Sequence, residues 1–191
     1  LVQIWERAQR QVALPSGRRA MAVAGAEPSL WDPVLGDWLA WMKKNAPDIA
    51  LRAEVDLPAR LLGRRADGSL DMAVIYGSPE PHDDLVVERM ADEKLVLVSA
   101  GRSVGGSSAP ARLPLAQIAT RPMILPSREH GLRRIIDEVC AAHGLQLDIV
   151  AEIDALPSVK RAVETGLGCT VLPVGAVGEE IAAGKLQVSM I

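Results

Sequence analysis

The chain has 191 residues, of which 49% are hydrophobic, enough for one large domain or two small ones with a genuine core. Its net charge is −3 and its pI is about 5.7, which excludes nucleic-acid binding by bulk charge and is typical of an ordinary soluble protein. Cys140 and Cys169 show no CxxC spacing, so we expect buried thiols in a reducing cytoplasm. No apolar run reaches the ~18–20 residues that span a bilayer.

The N-terminal stretch 1–14 has apolar residues at helical spacing and is stopped by a Pro-Ser-Gly sequence at 15–17. It carries charged and amide side chains where a signal peptide would have an apolar core, and it has no starting Met. We interpret it as the tail of a linker helix in a longer cytoplasmic chain. The alternative is a disordered start.

The next stretch reads as strand, helix, strand, helix, strand. The strands are expected over 18–25, 49–55 and 71–76, with helices over 29–45 and 60–66 between them. Because helical crossovers join parallel strands, we expect a parallel sheet. The almost unbroken apolar run at 71–76 predicts its central strand.

The helix over 29–45 has an unusually wide apolar surface. Ser29 stands where an N-cap belongs, and Asp32 follows at capping-box spacing. Two apolar stripes run along the helix: Leu30, Val34, Trp38 and Trp41, and beside them Trp31, Leu35, Leu39 and Met42. We expect one face to pack on the sheet and the other on a second copy of the chain. The alternative is burial by the chain's own loops.

The second half of the chain repeats the alternation of strands and helices. Two strands are expected over 85–90 and 94–100, then a flexible Gly/Ser segment over 101–112. The further strands expected are 123–126, 147–153, 169–173 and one from Leu186; the helices follow Gly131, begin at Asp154, and cover 177–183. In the first of these helices we expect Leu132, Ile135, Ile136, Val139 and Cys140 to point inward, and Arg133, Arg134, Asp137 and Glu138 to be solvated.

Polar residues follow several of the predicted strands. They are Ser29, Tyr76, Ser78, Ser127, Arg128 and Asp154. Ligands of open α/β sheets bind at the carboxyl ends of the strands, and a helix N-terminus near Ser29 favours an anionic group. Plain helix capping by Ser29 and Asp154, and a surface position for Arg128, are the alternatives to ligand contact.

No arrangement of residues indicates catalysis or a metal site. There is no GxSxG motif, and the carboxylates stand beside basic residues. Cys140 and His143 share a helical face, but two ligands do not make a metal site, so we interpret them as a core cysteine beside a surface histidine. We therefore predict no enzyme activity, no metal and no cofactor.

The order of these elements resembles the effector-binding region of LysR-type transcriptional regulators, over roughly residues 17–187. The stretches that carry the resemblance are SLWDPVL, MKKNAPDIALRAEV, LLGRRADGSLDMAVIYG, LVVERMADEKLVLVSA, RPMILPSREHGLRRIIDEVCAAHGL, VAEIDALPSVKRAVETGLGCTVLPVGAV and GKL. The most specific are DGSLDMAVIY and VETGLGCTVLP.

The resemblance implies an α/β fold of two Rossmann-like lobes joined by crossover strands, like a type 2 periplasmic binding protein, with a ligand cleft between the lobes. It implies a linker-helix tail over 1–16, lobe I over 17–99 and lobe II over 100–191, without the C-terminal segment that returns to lobe I. It places a small-molecule inducer at Ser29, Leu30, Tyr76, Gly77, Ser127, Arg128, Ile153 and Asp154.

The resemblance also implies a cytoplasmic bacterial regulator that pairs as a homodimer or tetramer through the 29–45 and 130–144 helices. Promoter DNA would bind only through a helix-turn-helix domain absent from this sequence. Two alternatives remain. A transporter's solute-binding protein shares the fold, but the N-terminus is unlike a signal peptide. An enzyme of similar fold is disfavoured because no nucleophile, metal or cofactor motif is visible.

Overall fold

The structure is a computed structural model that describes residues 20–77, 85–101 and 112–191, with the side chains of 32–34 excepted. Its contacts divide the chain into two compact units, one up to Ala91 and one from Asp92 to Ile191. The linker helix predicted for 1–14, the polar residue Ser78 and most of the Gly/Ser segment lie outside the described residues.

The first unit has the predicted strand–helix–strand–helix–strand order. Its elements are β1 Ala20–Ala26, α1 Pro28–Asn45, β2 Ile49–Val55, α2 Pro58–Ala66 and β3 Met72–Val74. The three strands form a parallel sheet in the order β2-β1-β3. Each helix is the crossover that a parallel pair needs, which confirms the predicted parallel sheet.

The central strand of this sheet is β1, and the expectation that 71–76 would be central is wrong for the part of the sheet that the structure describes. β3 pairs there only with β1, from Ala24↔Met72 to Ala26↔Val74. The end of β1 has small residues, and α2 packs close to them. A Cβ on Gly25 would lie 2.4 Å from Leu61 Cδ2, so this strand tolerates little side-chain volume.

The core of the first unit is built on α1. Trp31, Trp38 and Met42 are buried with Ala24 and Ala26 of β1. The two indole rings meet edge to face, with centroids 5.5 Å apart, a geometry that favours aromatic pairs. These three side chains come from both predicted stripes, so both stripes contribute to the face that packs on the sheet, and packing of this helix on a second copy of the chain stays a prediction.

The second unit contains the remaining elements in chain order. They are β4 Leu95–Ala100, α3 Leu115–Ala119, β5 Pro122–Leu125, α4 Gly131–Ala142, β6 Asp148–Glu152, α5 Leu156–Glu164, β7 Thr170–Pro173, a 3-10 turn Val174–Val177, α6 Gly178–Ala182 and β8 Leu186–Met190. The sequence predicted all of these strands. It missed α3 and the 3-10 turn.

The named strands of the second unit form two sheets, one of three strands in the order β7-β4-β8 and one of β5 and β6. β4 is antiparallel to both β7 and β8, while β5 and β6 are parallel. A parallel bridge from Met123 to Cys169 joins β5 to the start of β7. β4 thus pairs with strands of the second unit, although its residues 95–99 fall within the 17–99 range that the resemblance assigned to lobe I.

The strand predicted over 85–90 is wrong. Residues 85–94 contain no strand, and Val86 and Val87 are exposed. The sequence has the apolar residues typical of a strand, but a strand forms only where a neighbouring ladder satisfies its backbone groups. β4 begins directly after this segment, at Leu95, and takes both of its partners from later in the chain.

The helix α4 turns a different face to the core from the one predicted. Leu132, Ile136 and Cys140 are buried as expected. Arg133, expected in solvent, is 1% exposed, and Val139, expected inside, is 42% exposed. The core-facing stripe is therefore rotated toward Arg133, whose charge is paired with Asp137 and Glu152.

Candidate functional site

The first polar cluster lies where β1 ends and α1 begins. We call Glu27, Ser29 and Tyr76 the Ser29 cluster. The helix begins at Pro28, and Glu27 occupies the N-cap without a side-chain cap bond. The prediction that Ser29 is the N-cap is therefore wrong. Proline suits the first helical position, which places the N-cap two residues upstream of Ser29. The side chain of Asp32, the other half of the predicted capping box, is not described.

Two hydrogen bonds hold Tyr76, which lies in the segment after β3, to the other two members of the Ser29 cluster. Ser29 Oγ lies 3.0 Å from the Tyr76 hydroxyl, and the Tyr76 backbone N–H donates to Glu27 Oε1 at 3.0 Å. Glu27 is 1% exposed, and its own N–H donates to the Val74 carbonyl at 3.3 Å. Through these bonds Glu27 connects the C-terminal end of β3 to the N-terminus of α1.

This arrangement offers a ligand several hydrogen-bonding groups. The hydroxyls of Ser29 and Tyr76 can each donate and accept. In the first turn of α1, the Ser29 N–H is the backbone donor left for a ligand, because the proline before it has no N–H and the next two N–H groups donate to the Glu27 carbonyl at 3.0 and 3.1 Å. The positive end of the helix dipole favours a negative group there. Leu30 is partly buried against the core, and Gly77, with φ +74°, turns the chain directly after Tyr76.

The second polar cluster lies where β5 and β6 end. We call Ser127, His130 and Asp154 the Asp154 cluster. The Ser127 N–H donates to Asp154 Oδ1 at 2.8 Å, and His130 Nε2 lies 3.3 Å from the same oxygen. The His130 N–H donates to the Ser127 carbonyl at 3.1 Å. One carboxylate thus holds both ends of the turn that leads into α4.

The predicted helix start at Asp154 is wrong. α5 begins at Leu156, its N-cap is Ala155, and no side chain caps it. Asp154 is instead committed to the Ser127 turn. Hydrogen bonds from the Ser127 backbone N–H and hydroxyl lower the pKa of Asp154, with a smaller contribution from His130, although partial burial opposes them. The Asp154 carboxylate therefore stays ionised, and keeps its hydrogen bonds to the turn, at pH values below the ordinary pKa of an aspartate.

The other predicted residues of the second unit lie beside this cluster. The Ile153 N–H donates to the Leu125 carbonyl at 2.9 Å, which aligns the ends of β5 and β6. Arg128 is exposed, and within the ranges that the structure describes its guanidinium has no ion-pair partner. The contacts of Arg128 therefore leave both interpretations open, a ligand contact or a surface arginine.

Beneath the turn lies Arg133. Its Nη1 donates to the Pro126 carbonyl at 2.9 Å and to Glu152 Oε1 at 2.7 Å, and its Nε donates to Asp137 at 2.9 Å. Burial lowers the pKa of Arg133, but hydrogen bonds to Glu152 and Asp137 outweigh burial, and the net shift is upward. The guanidinium is therefore a permanent charge under the second cluster.

The structure thus brings together two pairs of predicted residues, Ser29 with Tyr76 and Ser127 with Asp154. Sequence reasoning missed Glu27, His130 and Arg133. No helix in the described ranges is long and apolar enough to cross a membrane. Among the same residues, no three His, Cys, Asp or Glu side chains gather where a metal ion could bind.

Comparison with known families and proteins gives one consistent result. The model of the LysR substrate binding domain matches residues 20–190. The HTH-type transcriptional regulator BbuR of Bordetella bronchiseptica is 28% identical over 186 residues, which cover 97% of this chain and 55% of BbuR. The RuBisCO operon transcriptional regulator of Acidithiobacillus ferrooxidans is 30% identical over 128 residues, covering 67% of this chain and 40% of that protein. The chain spans about half the length of the curated relatives it matches.

Solved structures share the fold at low sequence identity. A mutant of Corynebacterium glutamicum OxyR gives a TM-score of 0.77 at 21% identity and covers 100% of this chain and 58% of that one. The Synechocystis PCC6803 CcmR regulatory domain in complex with 2-PG gives 0.75 at 18% identity, covering 88% and 79%. The effector binding domain of QuiR in complex with shikimate gives 0.74 at 18% identity, covering 91% and 81%.

Proposed function

Because the chain belongs to the LysR substrate-binding domain family, it is the effector-binding domain of a LysR-type transcriptional regulator, and we propose that its effector is a small anionic metabolite bound by both polar clusters. The predicted fold class, two α/β lobes like those of type 2 periplasmic binding proteins, is confirmed by the family match and the solved neighbours. The same findings disfavour the alternative of a transporter's solute-binding protein.

One observation supports this site above all. In each unit a polar cluster joins the ends of parallel strands to the start of a helix, β1 and β3 to α1, and β5 and β6 to α4. The carboxyl ends of parallel strands are where open α/β sheets bind ligands. The residues that we propose for effector contact are Ser29, Leu30, Tyr76, Gly77, Ser127, Arg128, Ile153 and Asp154.

An anionic effector fits the charges of these clusters. The N-termini of α1 and α4 both favour negative groups, and an arginine fork binds a carboxylate with two parallel hydrogen bonds. The acidic groups of the clusters are already engaged within their own units, since Glu27 accepts the Tyr76 N–H and Asp154 accepts the Ser127 N–H. The exposed guanidinium of Arg128 is free to meet a ligand carboxylate.

A thermal-shift screen of aromatic and aliphatic carboxylates tests this proposal. Shikimate and 2-PG are natural first probes, because two domains of the same fold were solved with them. A ligand at about 100 times its Kd adds about 2.7 kcal/mol of stability. For a chain of this size that raises Tm by roughly 5–10 °C.

The matched control for each carboxylate is its methyl ester, which lacks the carboxylate charge and is larger by one methyl group. We expect the esters to raise Tm far less than the acids do. In Arg128→Gln the difference in Tm shift between acid and ester should become smaller, whereas the exposed Arg134→Gln should leave that difference unchanged. Equal stabilisation by acids and esters would show that the effector class is wrong.

We also propose a homodimer or tetramer formed through α1 and α4, in the ranges 29–45 and 130–144. Among the side chains that the structure describes, α1 exposes Leu39 at 46% and α4 exposes Val139 at 42%. Leu39→Asp or Val139→Asp should raise the dimer dissociation constant in sedimentation experiments. Leu167 of the second unit is 52% exposed outside both helices, so Leu167→Asp serves as the control. Dissociation by all three variants alike would argue against this interface.

For the whole protein we propose a cytoplasmic regulator that binds promoter DNA through a helix-turn-helix region outside this sequence. The relatives are named as transcription regulators, and BbuR as an HTH-type one, which supports DNA binding and regulation rather than catalysis. Two buried free cysteines fit a reducing compartment. A reading frame extending upstream into a helix-turn-helix is expected, and a secretion signal there would contradict the proposal.

A further inference from the structure

Arg133 is the largest fully buried side chain in the part of the chain that the structure describes. Removing a guanidinium from water is unfavourable by several kcal/mol unless its donors find good acceptors, so a buried arginine needs a specific set of partners. The neighbouring Arg134, one position along α4, is exposed and shows the ordinary behaviour of such a residue. The burial of Arg133 therefore calls for an explanation in terms of what it binds.

The acceptors of Arg133 come from three different segments. The Pro126 carbonyl is the last group before Ser127, and Glu152 ends β6, two residues before Asp154. Asp137 is one turn further along α4 and fixes the guanidinium from its own helix through both carboxylate oxygens. One side chain thus connects α4 to the ends of the two strands that carry the Asp154 cluster.

The geometry of these bonds gives Arg133 control over the position of the turn. Its planar, rigid fork of donors sets the directions in which the Pro126 carbonyl and the Glu152 carboxylate must lie. Both carboxylate partners are partly exposed, so they reach in from the surface to a guanidinium that is itself fixed. A lysine has a single point charge at this place and cannot set both directions.

We propose that Arg133 is a positioning residue, which holds the 126–130 turn and the end of β6 in the arrangement that presents Ser127 and Arg128 to the effector. Ordering these groups before the ligand arrives reduces the entropy that binding must overcome. The link to an effector rests on the proposed function. The ordering of the turn does not, and it can be measured on the ligand-free chain.

Amide hydrogen exchange, read residue by residue by NMR, tests this role. In Arg133→Gln we expect the N–H groups of Ser127 and His130 to exchange at least tenfold faster than in the unmodified chain, because the turn that they close loses its support. Arg134→Gln is the matched control, the same substitution at an exposed position, and should leave both rates unchanged.

A second control separates local positioning from general stability. Ile136 is buried on the next turn of α4, and its hydrocarbon side chain makes no hydrogen bond, so Ile136→Ala weakens the core without removing a bond to Pro126 or Glu152. We expect Ile136→Ala to accelerate exchange throughout the second unit by a common factor. Arg133→Gln should accelerate the turn beyond any such common factor.

Variants of Glu152 keep the test decisive if Arg133→Gln does not fold. Glu152→Ala removes an acceptor and should accelerate the Ser127 and His130 amides, whereas Glu152→Gln retains an acceptor oxygen and should restore them to within about twofold of the unmodified chain. Unchanged rates in Glu152→Ala, or acceleration shared equally by the whole unit, would overturn the inference. Failure of every carboxylate in the screen would instead refute the proposed effector and leave this result intact.

Discussion

Replacing Gly168 with alanine should destabilise the second unit strongly, because the start of β7 lies against β5 with no room for a side chain. A Cβ at position 168 would lie 2.6 Å from the Pro122 carbonyl oxygen and 3.3 Å from Ile124 Cγ1. The nearest atom belongs to the backbone, so no side-chain rotation relieves the contact. The two strands must move apart.

The size of the effect follows from what that movement disturbs. The Cys169 N–H donates to the Pro122 carbonyl at 2.8 Å, and the Ile124 N–H donates to the Cys169 carbonyl at 2.7 Å. Weakening buried backbone bonds costs about 1–3 kcal/mol each, and overpacking alone costs about 1–3 kcal/mol. Because the strands can relax in part, we expect about 3 kcal/mol, a fall in Tm of roughly 6–12 °C.

Thermal and urea unfolding followed by circular dichroism measure this change. Gly178→Ala is the control: it is the same substitution at a helical position where a Cβ meets nothing within 4 Å. It should be neutral or add up to about 1 kcal/mol, because alanine lowers the entropy of the unfolded chain. The steric reasoning fails if Gly168→Ala stays within about 0.5 kcal/mol of the unmodified chain, or if both variants destabilise it equally.

Two further predictions concern the polar clusters. Asp154→Ala should lower stability at pH 7 by about 1 kcal/mol, a value reduced for the exposure of the carboxylate. Because the folded pKa of Asp154 is lowered, its contribution is present above the ordinary value of 3.8 and is lost as the pH falls through the lowered pKa. Urea titrations of both chains should therefore converge at low pH, and a constant difference at all pH values would contradict this. Tyr76→Phe removes the bond to Ser29 and should cost about 0.5–1.5 kcal/mol in the same assay, whereas no change would show that the bond contributes nothing.

The sequence predicted most of the fold because the elements are strongly periodic or strongly apolar. The alternation of strands and helices up to residue 76 was sufficient to predict the parallel sheet. The strand order was not predictable from local pattern, since the run at 71–76 and the strand β1 are both apolar enough for a central position. The segment 85–90 could not be assigned correctly for the same reason, because an apolar segment becomes a strand only where the fold places another strand beside it.

The candidate site was predicted less completely, and the misses have identifiable physical reasons. The Ala-Glu-Pro-Ser sequence already indicated that Glu27 is the N-cap, because proline at position 28 favours the first helical position more strongly than Ser29 favours the N-cap. Arg133 and Asp137 stand at i and i+4, a spacing that is equally compatible with a solvated ion pair. Only tertiary contacts with Pro126 and Glu152 decide that Arg133 is buried, and these partners are distant in sequence.

Calorimetric titration of Ser29→Ala and Ser127→Ala tests most directly the claim that both polar clusters bind the effector. The titrant is whichever carboxylate gives the largest thermal shift with the unmodified chain. Each variant should weaken binding by about 1–1.5 kcal/mol, roughly tenfold in Kd, and the exposed Ser158→Ala should not change it. If both serine variants bind that carboxylate as tightly as the unmodified chain, the effector does not lie at these clusters.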